Sequence, residues 1–142
     1  TFVRKYAPCA KLYLHETWAY ESGTERIRKF GFETMGEMSK QVFEAYRKAC
    51  ERINADGMIP AGHAMLALAE AGGALVHRDT FHASLGAGRY LLACVWYEIL
   101  TGKPVMNEDF SDLDTEISGE TLARVRTIAH QTVIEFLGSE GK

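Results

Sequence analysis

The sequence predicts an α/β fold with a parallel sheet, only part of which this chain supplies. Two short apolar runs, 10–15 (A-K-L-Y-L-H) and 58–61 (M-I-P-A), carry strand character. Four or five helical segments accompany them, and the run 90–100 is hydrophobic nearly all round, as a helix buried on several sides must be. Two strands cannot form a parallel sheet buried on both faces, so further strands are expected from upstream of Thr1 or from a second chain. The 142 residues, 46% hydrophobic and 25% charged, fit one globular domain rather than a disordered chain. Within that single domain, 1–104 reads as a core-like portion and 105–142 as an acidic connector and a last helix.

Residues 1–7 look like the tail of a helix closed by Pro8. In 10–15, Leu12 and Leu14 face one side and Tyr13 the other. Ligands gather beyond the carboxyl ends of strands in parallel α/β sheets, so His15, Glu16, Trp18 and Tyr20 are candidate substrate-binding residues of a pocket wall. The segment 21–34 is expected to be a polar loop. Met38, Val42, Tyr46, Ala49 and Ile53 recur at helical spacing, predicting a helix over 35–55 that Asp56 and Gly57 end. The run 58–61 is expected to be a second buried strand closed at Gly62 and His63, with a short apolar helix over 64–71. Leu75 and Val76 are the remaining strand candidate. Ser84 suits an N-cap, and Gly102 and Pro104 a stop, for the apolar helix between them. After the connector, Ser118 opens a helix with the stripe Leu122, Val125, Ala129, Val133 and Phe136, which Gly138 is expected to end.

The chemistry concentrates in R-D-T-F-H, residues 78–82, after the last strand candidate and just before the buried helix. A carboxylate at Asp79, three residues before His82, can hold the imidazole Nδ1–H. That fixes the tautomer and leaves Nε2 as a general base for a Ser hydroxyl. The same spacing also arises in satisfied structural histidines, so position in the fold decides between the two.

Residues 78–84 (R-D-T-F-H-A-S), followed by Gly88-Arg89-Tyr90 and by Val95-Trp96-Tyr97-Glu98, resemble the C-terminal motif block of the SGNH (GDSL-type) hydrolases. Residues 14–20 (L-H-E-T-W-A-Y) resemble the strand and aromatic loop of an uncharacterised bacterial branch of that superfamily. The likeness covers most of 8–103. It implies a three-layer α/β/α fold with a flavodoxin-like parallel sheet, of which this chain is the C-terminal part. It also implies hydrolysis of esters or acyl groups, often deacetylation of carbohydrates, by a Ser-His-Asp mechanism with His82 as base and Asp79 as its orienting partner. The family's nucleophile motif is absent: Ser22, Ser39, Ser84, Ser111, Ser118 and Ser139 all lack a Gly-Asp-Ser-like setting. Asn54 and Asn107, the only asparagines, do not occupy the place of the family's oxyanion-hole residue. The chain alone is therefore expected to be inactive as a hydrolase, with the missing parts supplied by an N-terminal portion or a second chain.

Two other classes fit the residues. A metal-dependent hydrolase has ligand types at His15, Glu16, His63, His77, Asp79 and His82, though in no H-E-x-x-H pattern. Glu108, Asp109, Asp112, Asp114 and Glu116 likewise lack EF-hand spacing, so neither metal nor cofactor is expected. A non-catalytic binding or assembly module would use Trp18 and Tyr20 on a sugar and the open sheet on a partner. The net charge of -3 gives no reason to expect nucleic acid or an anionic membrane, and the apolar runs fall short of the ~20 residues of a membrane span. The scattered, odd cysteines Cys9, Cys50 and Cys94 point to a reducing, cytoplasmic compartment, or to secretion if a signal peptide has been removed.

Overall fold

In the computed structural model, which describes residues 2–113 and 115–140, the chain forms a mixed α/β unit. Its helices surround one small parallel sheet of two strands, β1 (Tyr13–His15) and β2 (Gly57–Ile59). Tyr13 lies opposite Gly57 and His15 opposite Ile59. Asp56 sets this register, its carboxylate accepting the Leu12 amide at 2.6 Å and Arg4 Nη2 at 2.8 Å. The Leu12 amide, with Arg4 behind it, holds that carboxyl below its usual range. Arg4 belongs to α1 (Phe2–Tyr6), the expected helix tail. Both strands are shorter than the apolar runs that announced them. Leu75 and Val76 form no strand: they open a hairpin in which His77 and Ala83 make a single antiparallel bridge.

Between β1 and β2 the chain makes α2 (Glu25–Arg28) and α3 (Met35–Ile53). The expected loop over 21–34 thus contains a helical turn, capped by Thr24 and anchored by buried Ile27. Thr34 and Glu37 cap α3 reciprocally, and Asn54 ends it in the left-handed region at φ 51°. The periodic side chains Met38, Val42, Tyr46 and Ile53 are only half-buried, and Ala49 is exposed.

Helix α4 (Ala61–Ala71) begins three residues earlier than predicted and takes Gly62 and His63 into its first turn. Pro60 offers no side-chain cap. The Glu16 carboxylate, at the end of β1, accepts the His63 amide at 3.1 Å instead. Helix α5 (Ala87–Thr101) ends at Gly102 in the left-handed region, as its sequence requires. Ser84 Oγ accepts the Gly88 amide at 2.8 Å, so it serves the first turn although Gly86 is the capping residue. Leu91 and Val95 are fully buried, whereas Trp96 is 40% and Leu100 53% exposed. One face of α5 is therefore uncovered, contrary to the all-round burial its composition suggests.

Helix α6 (Gly119–Glu140) starts from Ser118, whose hydroxyl accepts the Thr121 amide at 3.2 Å, and runs through Gly138 rather than stopping there. Val125, Ala129 and Val133 are buried, and α6 packs on α5 and α4. The connector makes one 3-10 turn, Val105–Asn107; Asp114 lies outside the described residues. Glu98, buried on α5, binds these parts together: Oε1 accepts the Val105 amide at 2.6 Å, and both oxygens lie within 3.1 Å of His130 Nδ1. The three cysteines are unbridged, and burial pushes the Cys94 thiol up to about 11. No described helix is long and apolar enough to cross a membrane. Glu98→Ala strands the buried Val105 amide; a loss of about 2 kcal/mol in urea unfolding is expected, partly restored in Glu98→Gln.

Candidate active site

The hairpin closed by His77 and Ala83 presents Asp79 and His82 at its tip. Asp79 Oδ2 lies 2.7 Å from His82 Nδ1, and Oδ1 accepts the His82 amide at 2.9 Å. One carboxylate thus fixes both the ring and the backbone of the base. The imidazole, with the amide after it, draws the Asp79 carboxyl down to about 2. Both side chains are close to half exposed, and no described residue bonds His82 Nε2.

The tip is tight. Thr80, β-branched, adopts φ 74°, a conformation that such residues rarely occupy. It is held there from the segment after β1: the Glu21 amide donates to Thr80 C=O at 2.8 Å, and Trp18 Nε1–H donates to Phe81 C=O at 2.7 Å. The Phe81 ring centroid lies 3.8 Å from that of His82, and Tyr20 meets Phe81 edge-on at 6.0 Å. Trp18 and Tyr20, expected as pocket walls, thus support the Asp79–His82 loop.

His15 is carried to the same end of the sheet. Trp96 Nε1–H donates to its Nδ1 at 3.0 Å, which leaves the ring proton on Nε2. Burial lowers its pKa, consistent with this neutral, accepting form. Its centroid is 6.2 Å from Trp18. Glu16 differs from the other three: it is fully buried and turned away from solvent, so it is no pocket wall. Its Oε2 accepts both the amide and, at 2.8 Å, the Nδ1–H of His63, while Oε1 has no partner among the described residues. The cause is the uncapped start of α4, where amide dipoles favour a carboxylate. Phe43 stacks on the His63 ring at 3.6 Å.

Three carboxylates therefore touch a histidine Nδ1: Asp79 on His82, Glu16 on His63 and Glu98 on His130. The two glutamates are buried and also hold a backbone amide of another element. Asp79 and His82 alone present both partners at the surface. His77 is separate again; its Nε2–H donates to Ala19 C=O at 3.1 Å, and burial lowers its pKa. The six metal-ligand candidates are thus divided among four sites, and no three such side chains converge among the described residues. Ser84, the serine closest in sequence to the pair, donates to Leu75 C=O and accepts from Gly88, so its hydroxyl is already engaged. A cleft of about 430 Å³, bordered by Leu75, Arg78, Leu85, Ala87 and Ile117, lies beside the hairpin. Sequence reasoning left out Trp96 and Phe81 as site residues, because their contacts to His15 and His82 do not show in spacing or in place beyond a strand end.

A mixed α/β unit with an Asp–His pair displayed beyond its strands is the class that fold and geometry define. The chain belongs to the family described as "Domain of unknown function (DUF4886)", which matches residues 1–132. A crystal structure of a DUF4886 family protein from Bacteroides uniformis ATCC 8492 superposes with a TM-score of 0.81 at 25% sequence identity. The match covers 94% of this chain and 52% of that one, so the chain spans about half the length of this relative. No curated protein matches the chain.

The Asp79 carboxyl, low because of His82, is expected to titrate near 2 by carboxyl-carbon NMR and to move up towards about 4 in His82→Ala. Since the folded value lies below the unfolded one, the pair stabilises the fold above about pH 4 and ceases to as pH falls through 2.

Proposed function

We propose that this chain is the C-terminal part of an SGNH-type hydrolase of esters or acyl groups, carbohydrate acetyl esters among them. The observation that carries the reading is the 2.7 Å contact between Asp79 Oδ2 and His82 Nδ1, with Nε2 left unbonded among the described residues. In this reading His82 Nε2 takes the proton of a Ser hydroxyl, whose oxygen attacks the carbonyl carbon. The imidazolium, steadied by Asp79, then protonates the departing alcohol, and water repeats the cycle to free the acid and the Ser. The Ser and the oxyanion-hole donors come from the remaining portion of a longer protein or from a second chain, and this chain alone is inactive.

The open sheet supports that division. Parallel strands are ordinarily covered on both faces, yet all three residues of β1 are only half-buried. The exposed Trp96 of α5 adjoins β1 through its bond to His15. We take the whole to be a three-layer α/β/α fold with a flavodoxin-like sheet, its next strand pairing with β1. The relative of about twice this length is compatible with such a completion.

His82→Ala is expected to lower hydrolysis of p-nitrophenyl acetate by the longer protein at least 100-fold, with the circular dichroism spectrum unchanged. An undiminished rate in that variant removes the hydrolase reading and leaves a binding or assembly module, with Trp18 and Tyr20 near its contact surface. Amide hydrogen exchange tests the completed sheet separately: the β1 amides are expected to be at least ten-fold slower to exchange in the longer protein than in this chain.

A further inference from the structure

Next to the Asp79–His82 pair stands a cation. Arg26, on α2, places its guanidinium carbon 4.0 Å from the Phe81 ring centroid and 5.6 Å from that of Tyr20. The His82 ring centroid lies 3.8 Å from that of the same Phe81. Guanidinium and imidazole thus contact one and the same ring. Arg26 is exposed, and among the described residues its guanidinium has no hydrogen-bond or ion-pair acceptor, only the two aromatic rings. The cations around it are engaged, Arg28 with Glu33, Lys29 with Glu25, and Arg78 at 3.8 Å from Asp79.

A guanidinium held by cation–π contacts has lost part of its side-chain freedom before any ligand arrives. Its planar fork of N–H donors then matches the paired oxygens of a carboxylate or phosphate. Tyr20 and Phe30, whose rings meet at 5.4 Å with Phe30 60% exposed, add an apolar rim on which the body of a ligand can rest. We infer that Arg26 is an anion-recognising, specificity-determining residue, and that the substrate is an acylated acidic sugar or sugar phosphate. The substrate class rests on the hydrolase reading; the anion site stands on the geometry of Arg26 itself.

The test is an NMR titration of the isotope-labelled 142-residue chain with glucuronate, glucose 6-phosphate and glucose, following the Arg26 Nε–H and Phe81 ring signals. At least one anion is expected to bind ten-fold or more tightly than glucose, and comparing the two distinguishes a carboxylate from a phosphate partner. Arg26→Gln is expected to bring the anion-to-glucose ratio to about one, and Arg26→Lys to keep part of it by charge alone. Equal shifts with glucose, no shift with either anion, or a preference that survives in Arg26→Gln overturns the inference. Binding is read here without turnover, so a longer protein whose ester hydrolysis ignores His82→Ala defeats the hydrolase reading while the Arg26 result stands.

Discussion

The architecture depends on a carboxylate placed out of water. Glu16 is fully buried at the end of β1, and its Oε2 serves both the first turn of α4 and the ring of His63. A buried polar group is costly unless bonded, and the first amides of a helix are donors in need of an acceptor. This contact fastens the sheet to α4 and fixes where the chain leaves β1. The approach is so close that Gly62 admits no side chain: a Cβ there would stand 2.3 Å from Thr17 C=O and 2.9 Å from the Glu16 carboxylate. From that anchored point the chain runs on to Trp18 and Glu21, which grip the loop carrying Asp79 and His82. The surface pair thus inherits its position from a buried one.

What was legible in the sequence was local. The body of α3 and the end of α5 follow from periodicity and from residues that tolerate a left-handed backbone, and Asp79 and His82 meet because they stand three residues apart. What was illegible was carried by distant partners. The start of α4 escaped prediction because its cap lies 47 residues upstream. Trp18 read as a substrate contact because nothing near it in sequence discloses that its indole N–H goes to Phe81, 63 residues on. Gly138 sits within α6, two residues before its end, because one glycine costs a helix only about 1 kcal/mol and does not by itself break it. The apolar run of α5 does not say which of its faces this chain covers.

The three carboxylate–histidine contacts show why such a motif alone is a weak guide. In each, an acidic oxygen meets Nδ1, and the local geometry is nearly interchangeable. Their surroundings differ. Glu16 and Glu98 are buried and complete the hydrogen bonding of backbone that would otherwise be stranded, so architecture accounts for them. Asp79 caps only its own turn and holds a ring at the surface. Stability gains little from a side-chain contact that is open to water, so architecture gives no comparable reason for it.

Thr80 is the peg in this arrangement. Its backbone is wound the wrong way for a β-branched residue, at a cost of order 1 kcal/mol or more, and the two bonds from Glu21 and Trp18 keep it so. The tip therefore behaves as a cocked spring with its catch on another segment. Loosening that catch lets the turn unwind toward an ordinary conformation and swings carboxylate and imidazole apart, although neither has been altered. Damage to the aromatic clasp after β1 would thus be felt first as misalignment at the hairpin rather than as unfolding.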